Sequence, residues 1–199
     1  EKIATLAQLS VESFNRAEWI SFFWFYSSYM KEFGYWLQQL WAESLAKRET
    51  RSGTSAPRVS TPFVAIGACD QHSLLQQVMD GHRDKWVVFV RTKSAESSTP
   101  KINEHLFPVH DYLKGTSLGQ VLAAQAQSTQ IALAQNGVNT LTIQMPELSA
   151  KSMSYLFLFF ELVVATIAES LDLNAYDQPG VEHGKKIAAE LLSKAKQTL

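Results

Sequence analysis

The spacing of apolar residues changes period in a regular order along the chain. Residues 20–26 read ISFFWFY and residues 85–90 read KWVVFV, aromatic and β-branched runs of the kind that form strands buried on both faces. Thr61–Ile66 (TPFVAI) is a short β-branched run of the kind that forms a core strand, and residues 138–144 (VNTLTIQ) read as a further strand. Between these runs the period lengthens to that of a helix. Phe33, Trp36, Leu37, Leu40 and Trp41 mark a helix from residue 30 to about 47, and Leu74, Leu75, Val78 and Met79 mark a second after Gln71. A third is predicted over about 118–136, and a fourth, apolar on most faces, over about 149–171. Strands alternating with helices predict an α/β fold with a parallel sheet and right-handed crossovers.

The remaining stretches punctuate this pattern. Residues 1–16, polar with scattered leucines, are read as a linker or short helix ahead of a domain spanning 17–199. Residues 48–60, rich in Ser, Thr, Gly and Arg, predict a surface loop, and residues 92–111, with Pro100 and Pro108, a long polar connection. A last helix opens after Tyr176, with a proline in its first turn, and runs to about Ala195.

Composition narrows the partners. With 46% hydrophobic residues in 199, the chain can bury one sizeable core. Its 18 basic and 19 acidic residues leave a net charge of −1, which argues against a nucleic-acid surface or a polybasic membrane anchor. The most apolar run, 155–167, is too short for a bilayer and carries Glu161, so it is expected to be a buried helix. A lone cysteine, Cys69, demands no oxidising compartment, and no secretory signal is visible, so a cytoplasmic location is expected. A first residue that is Glu rather than Met is the expected sign of a piece of a longer polypeptide.

Candidate chemistry gathers at three places. In Gly67-Ala68-Cys69-Asp70-Gln71-His72-Ser73 a strand gives way to a helix, which sets His72 at the carboxyl edge of the sheet, where ligands bind in open α/β folds. The same histidine can instead cap the helix or bond a carbonyl. Glu43 falls near a helix end, where the negative pole of the helix dipole disfavours an ionised carboxylate and suits a general base; a solvated surface acid is the alternative. Gln178 and Lys185, seven residues apart, can face one site over about two helical turns. Ser52-Gly53-Thr54-Ser55 resembles a phosphate cradle only weakly. A hydroxyl in Lys114-Gly115-Thr116-Ser117 is expected to cap the helix that follows. His105 and His110 lack metal-ligand spacing and are read as surface residues. There is no dinucleotide fingerprint, Walker sequence or nucleophile elbow.

Three stretches in order, QQLWAES ending at Ser44, GACDQHSLLQQ from Gly67 and YDQPGVEHGKK from Tyr176, resemble the glucose-6-phosphate isomerases. The resemblance runs from about residue 19 to the end and is to the C-terminal half, with the second sugar-isomerase (SIS) domain; Ala46, Pro179 and His183 are departures beside the functional positions. The same motifs resemble the isomerase part of bacterial transaldolase fusions. The resemblance implies a three-layer α/β/α sandwich of flavodoxin-like type with a C-terminal helix. It implies that Glu43 moves a proton between C1 and C2 of an open-chain sugar, that His72 assists ring opening in a partner chain's site, that Lys185 lies near the ring oxygen, and that Gln178 helps hold the substrate phosphate. It implies glucose 6-phosphate and fructose 6-phosphate as substrates, no cofactor or metal, a homodimer with shared sites, and an N-terminal half that supplies the rest of the phosphate grip. A non-catalytic sugar-phosphate binding or dimerisation module is the alternative.

Overall fold

In a computed structural model that describes residues 1–93, 100–102 and 108–197, the four apolar runs pair side by side in parallel. They are β1 (Ile20–Phe25), β2 (Thr61–Ile66), β3 (Lys85–Thr92) and β4 (Thr140–Met145), in the order β2-β1-β3-β4. Ile20 stands opposite Thr61 on one side and Lys85 on the other, and Val87 opposite Thr140. The helices are α1 (Lys2–Asn15), α2 (Lys31–Leu45), α3 (Gln71–Asp80), α4 (Leu118–Gln135), α5 (Ala150–Ser170) and α6 (Pro179–Gln197).

Successive side chains of a strand point to opposite faces, so β1 feeds two cores at once. Phe23 and Phe25 pack with Trp86, Val88 and Val90 against α1, α2 and α5, through Leu6, Phe33, Leu37, Trp41, Phe160 and Ile167. Phe22, Trp24 and Tyr26 pack with Val87 and Phe89 against Val78 of α3 and Ala126 and Leu133 of α4. The result is the expected α/β/α sandwich. Each large apolar side chain so buried contributes about 1.5–3 kcal/mol, and β1 and β3 bury such side chains on both faces.

The direction of α2 decides where its ends lie. Near its start, Gly34 approaches the carboxyl halves of β2 and β1 so closely that a Cβ would sit 2.6 Å from Val64 Cγ1 and 3.2 Å from Phe25 Cε2. Near its end, the Trp41 indole donates to Ser60 Oγ (3.2 Å), Ser60 and Ser21 hydroxyls pair at 2.6 Å, and the Trp86 indole donates to Ser21 Oγ (2.8 Å). These buried groups sit where β1, β2 and β3 begin. The end of α2 is therefore pinned at the amino-terminal edge of the sheet.

Four expectations are changed or narrowed. Of the linker or short helix read for residues 1–16, the helix is formed, as α1 over Lys2–Asn15, and it packs on α5 inside the first core; its buried face includes Ser10 and Ser13, whose hydroxyls bond back to Leu6 O and Ser10 O, so polar residue types masked an inward face. Helix α5 has 21 residues and is apolar and long enough to cross a membrane by length and composition, so the length argument fails. The buried reading holds for one face only: Leu156, Phe160, Val163, Val164 and Ile167 face α1, α2 and the sheet, whereas Tyr155, Leu158 and Leu162 are exposed. Strand β4 starts at Thr140 because Gly137, at φ 79°, and Val138 form the turn that closes α4. Strand β3 continues to Thr92, where Lys93 N still donates to Met145 O.

One local feature matches the sequence reading. Ser117 caps α4 in a reciprocal box with Gln120 (Gln120 N to Ser117 Oγ 3.1 Å, Ser117 N to Gln120 Oε1 2.7 Å). Such a cap contributes about 1 kcal/mol. Strand β2, expected to be a core strand, lies instead at one border of the sheet with Thr61 and Phe63 exposed, and Thr61 N and Gly67 N donate to Trp19 O and Phe25 O at the two ends of β1 (2.8 Å each). The alternate positions 62, 64 and 66 therefore face outward, where Pro62 has no N–H and Ile66 N is taken by the Asp70 carboxylate at 2.7 Å.

Candidate active site

Glu43 lies two residues beyond Trp41, half-buried at the amino-terminal edge of the sheet. Both of its oxygens are engaged. Gln39, one turn earlier on the same helix, donates its amide to Oε1 at 3.1 Å, and Gln178 donates to Oε2 at 2.5 Å from the far end of the chain. Two carboxamides from different elements thus fix the plane of one carboxylate, with its remaining lone pairs free to accept a proton.

Gln178 is brought there by the segment that leaves α5. Lys47, just past the end of α2, places its ammonium on Asp177 Oδ1 at 2.9 Å and also on the Asp177 carbonyl oxygen. The lysine side chain is 7% exposed and the aspartate 50%, so the cation is the buried member of the pair. Hydrogen bonding from Lys47 is the chief reason the Asp177 carboxyl is held below the usual carboxylate range. A second anchor lies upstream: Asp172 accepts from Ser52 N (3.0 Å), Ser52 Oγ (2.5 Å) and Arg51 Nε (3.2 Å), and the Ser52 bonds are the first cause of its lowered pKa. Ser52 is thereby committed to a carboxylate, so the 52–55 loop is a clasp for Asp172 and not a phosphate cradle.

Lys185 is exposed in the second turn of α6. Gln178 immediately precedes that helix, with its carbonyl accepting from Val181 N at 3.3 Å. His72 is the second residue of α3, exposed, and its imidazole makes no hydrogen bond or ion pair among the described residues. The capping and carbonyl-bonding alternatives for it are therefore unfilled. Asp70 does the local work, accepting from Ile66 N, while Ser73 Oγ donates to Asp70 O at 3.2 Å.

The four residues fall into two groups. Glu43 and Gln178 touch at the amino-terminal edge, and Lys185 follows Gln178 by two turns; His72 stands at the carboxyl edge, just beyond Ile66. A six-residue strand separates those edges, about 20 Å at 3.3 Å per residue. Sequence reasoning missed Gln39, Lys47 and Asp177. The first was legible as the residue four before Glu43 on one helix face; nothing local signals a Lys47–Asp177 pair spanning 130 residues. His110 lies in a 3-10 turn over Pro108–Leu113, with its ring centroid 6.3 Å from that of Tyr112, and His105 lies outside the described residues. No cluster of three or more His, Cys, Asp or Glu suited to a metal ion occurs among the described residues.

This arrangement has relatives. The chain is 34% identical over 183 residues to a probable glucose-6-phosphate isomerase of Methanococcus maripaludis, covering 92% of this chain and 39% of that protein. It is 38% identical over 169 residues to a glucose-6-phosphate isomerase of Campylobacter jejuni, covering 84% and 40%. Among solved structures, a hypothetical protein from Thermus thermophilus superposes with a TM-score of 0.85 at 31% identity, over 94% of this chain and 44% of the other. A glucose-6-phosphate isomerase from Chlamydia trachomatis shares the fold, with a TM-score of 0.79 at 21% identity over 96% of this chain and 39% of the other. The chain thus spans about two fifths of the length of the curated relatives it matches. The family profile of phosphoglucose isomerase matches residues 3–199, nearly the whole chain, and the chain belongs to that family.

Proposed function

We propose that this chain is the C-terminal catalytic part of an aldose–ketose isomerase that interconverts glucose 6-phosphate and fructose 6-phosphate in the cytoplasm. The observation that carries the reading is the Glu43 carboxylate, held by Gln39 and Gln178 in one orientation with lone pairs available for proton transfer. In the open-chain aldose, Glu43 removes the proton from C2, α to the C1 aldehyde. The electron pair forms the C1–C2 double bond of a cis-enediol as the carbonyl oxygen takes up a proton. Return of the proton from Glu43 to C1, with loss of a proton from the C2 hydroxyl, gives the ketose. No electrons are exchanged with any other group, and a well-placed base contributes typically ~10²–10⁴-fold in rate.

Opening the cyclic sugar is a separate acid–base step, assigned to His72 with Lys185 near the ring oxygen. Because His72 lies about 20 Å from Glu43 across the sheet, it serves the site of a second copy, and a homodimer has two sites of mixed origin. The remaining phosphate grip comes from a polypeptide region beyond this chain, whether in a stand-alone isomerase or a transaldolase fusion.

The test is a coupled assay of fructose 6-phosphate conversion by the full-length protein, with Glu43→Gln beside it. Loss of turnover by ~10²-fold or more in a folded variant that still binds sugar phosphate is expected. Turnover within a few-fold of the unaltered protein removes Glu43 as the base.

A further inference from the structure

Lys47 belongs to neither the resemblance nor the proton-transfer chemistry, yet its charged side chain is buried against the segment that carries Gln178. Its side chain is 7% exposed, and its ammonium bonds both the carboxylate and the backbone carbonyl of Asp177. Burying an ammonium is costly unless its protons find partners, so a lysine held this way marks a contact that must form. The contact joins the end of α2 to residue 177. The next residue is Gln178, and the next contact is its bond to Glu43 Oε2.

The approach of this segment depends on few other contacts. Ala175 packs against the first core, and Asp172 is clasped by Ser52 and Arg51; between Ala175 and α6 the described tertiary links are those from Lys47 to Asp177 and from Gln178 to Glu43. Residues 183–194 of α6 are exposed. Within the segment, Tyr176 N donates to Asn174 Oδ1 (3.1 Å), so Lys47 supplies the tie that joins this local turn to the end of α2.

We propose that Lys47 is a positioning residue that, by seizing the side chain and carbonyl of Asp177, sets the Gln178 amide on Glu43 and the start of α6 beside the site. The proposal rests on the isomerase reading for its kinetic consequence, though not for its structural one. The double grip matters because the carboxylate alone fixes a side chain, whereas the carbonyl fixes the peptide plane that leads into Gln178.

The experiment compares Lys47→Met, Lys47→Arg, Gln178→Leu, the Lys47→Met/Gln178→Leu pair and Glu43→Gln in the full-length protein. A carboxylate displaced by an ångström loses reaction rate more than affinity, so Lys47→Met is expected to lower kcat by ~10–100-fold with KM within about threefold. Lys47→Arg, which can still bond both acceptors, recovers most of the loss. The double variant is expected to be no slower than Gln178→Leu alone, because both act through one contact. Hydrogen exchange in residues 174–181 should rise in Lys47→Met and stay near its original level in Lys47→Arg. Additive kinetic losses, unchanged kcat or unchanged exchange overturns the positioning role. If Lys47→Met does not fold, Asp177→Ala removes the carboxylate half of the grip from its exposed side and leaves the carbonyl half, so a partial loss of kcat with a partial rise in exchange is expected, and no change in both overturns the role. A Glu43→Gln protein that keeps its turnover overturns the isomerase reading instead, and the exchange result then stands on its own.

Discussion

Glu43 and His72 stand at opposite ends of one parallel sheet: the first follows a Trp41 indole bonded to Ser60 where β2 begins, and the second follows Ile66 where β2 ends. Loop motion cannot close such a gap, since both residues sit on helices packed against the strands. If both serve one reaction, each site takes them from different copies. Glu43→Gln and His72→Asn variants of the full-length protein should each be nearly inactive as homodimers. Co-refolding equal amounts should restore about a quarter of normal activity, because half of the dimers are mixed and each carries one intact site of two. Activity that stays at the level of the separate variants would place both residues in one chain's site and sink the shared arrangement.

Tyr26 is 3% exposed, and its hydroxyl has the Thr129 side chain as its polar neighbour in the second core. Burial pushes its pKa up to about 12, and hydrogen bonding with Thr129 acts the other way. Between the ordinary tyrosine value of about 10 and that figure, the unfolded chain has released a proton that the folded chain keeps. The unfolded state then binds fewer protons, so stability falls as pH rises from about 10 through about 12. Tyr26→Phe removes this dependence and should change stability at neutral pH by no more than about 1 kcal/mol, since the hydroxyl gives up only its contact with Thr129. Denaturant melts at pH 7 and pH 11 test both statements; a variant less stable by more than about 1 kcal/mol at pH 7 would mean the hydroxyl is held by a stronger bond than that one.

Gly67 lies against the same ring. A Cβ there would come within 2.5 Å of Tyr26 Cε1 and 2.6 Å of Cζ, and neither atom is the free end of a flexible chain. Gly67→Ala should therefore destabilise the domain by about 1–3 kcal/mol. In a Tyr26→Leu background much of that loss should vanish, a coupling that equilibrium melts of the four proteins would reveal. Equal losses in both backgrounds would trace the effect to the backbone instead of the ring.

Much of the architecture was legible because β1 and β3 are so apolar. Six adjacent residues such as ISFFWF can be satisfied only by helices on both faces, and that settles the layer arrangement. The inward face of α1 was hidden by Ser10 and Ser13, which satisfy themselves within their own helix and so pass inside at little cost. At the candidate site, Glu43 could be singled out by its place near a helix end, and His72 by its place at a strand-to-helix joint. Their separation could not be read until the direction of α2 was known. Lys47 and Asp177 carry no periodic signal, because ion pairs between distant segments follow from the folded path of the chain and not from any local pattern.

Pro62 and Asp70 also have a meaning for how copies of this protein meet. The outward rim of β2 presents three places where an incoming strand would seek a donor; a ring fills the first, a carboxylate occupies the third, and Val64 alone remains in the middle. A ladder needs consecutive donors to take hold. Molecules crowded together at synthesis or at high concentration therefore find no template on this side, and stacking into fibres through β2 is refused by the same tight turn that presents His72 to solvent.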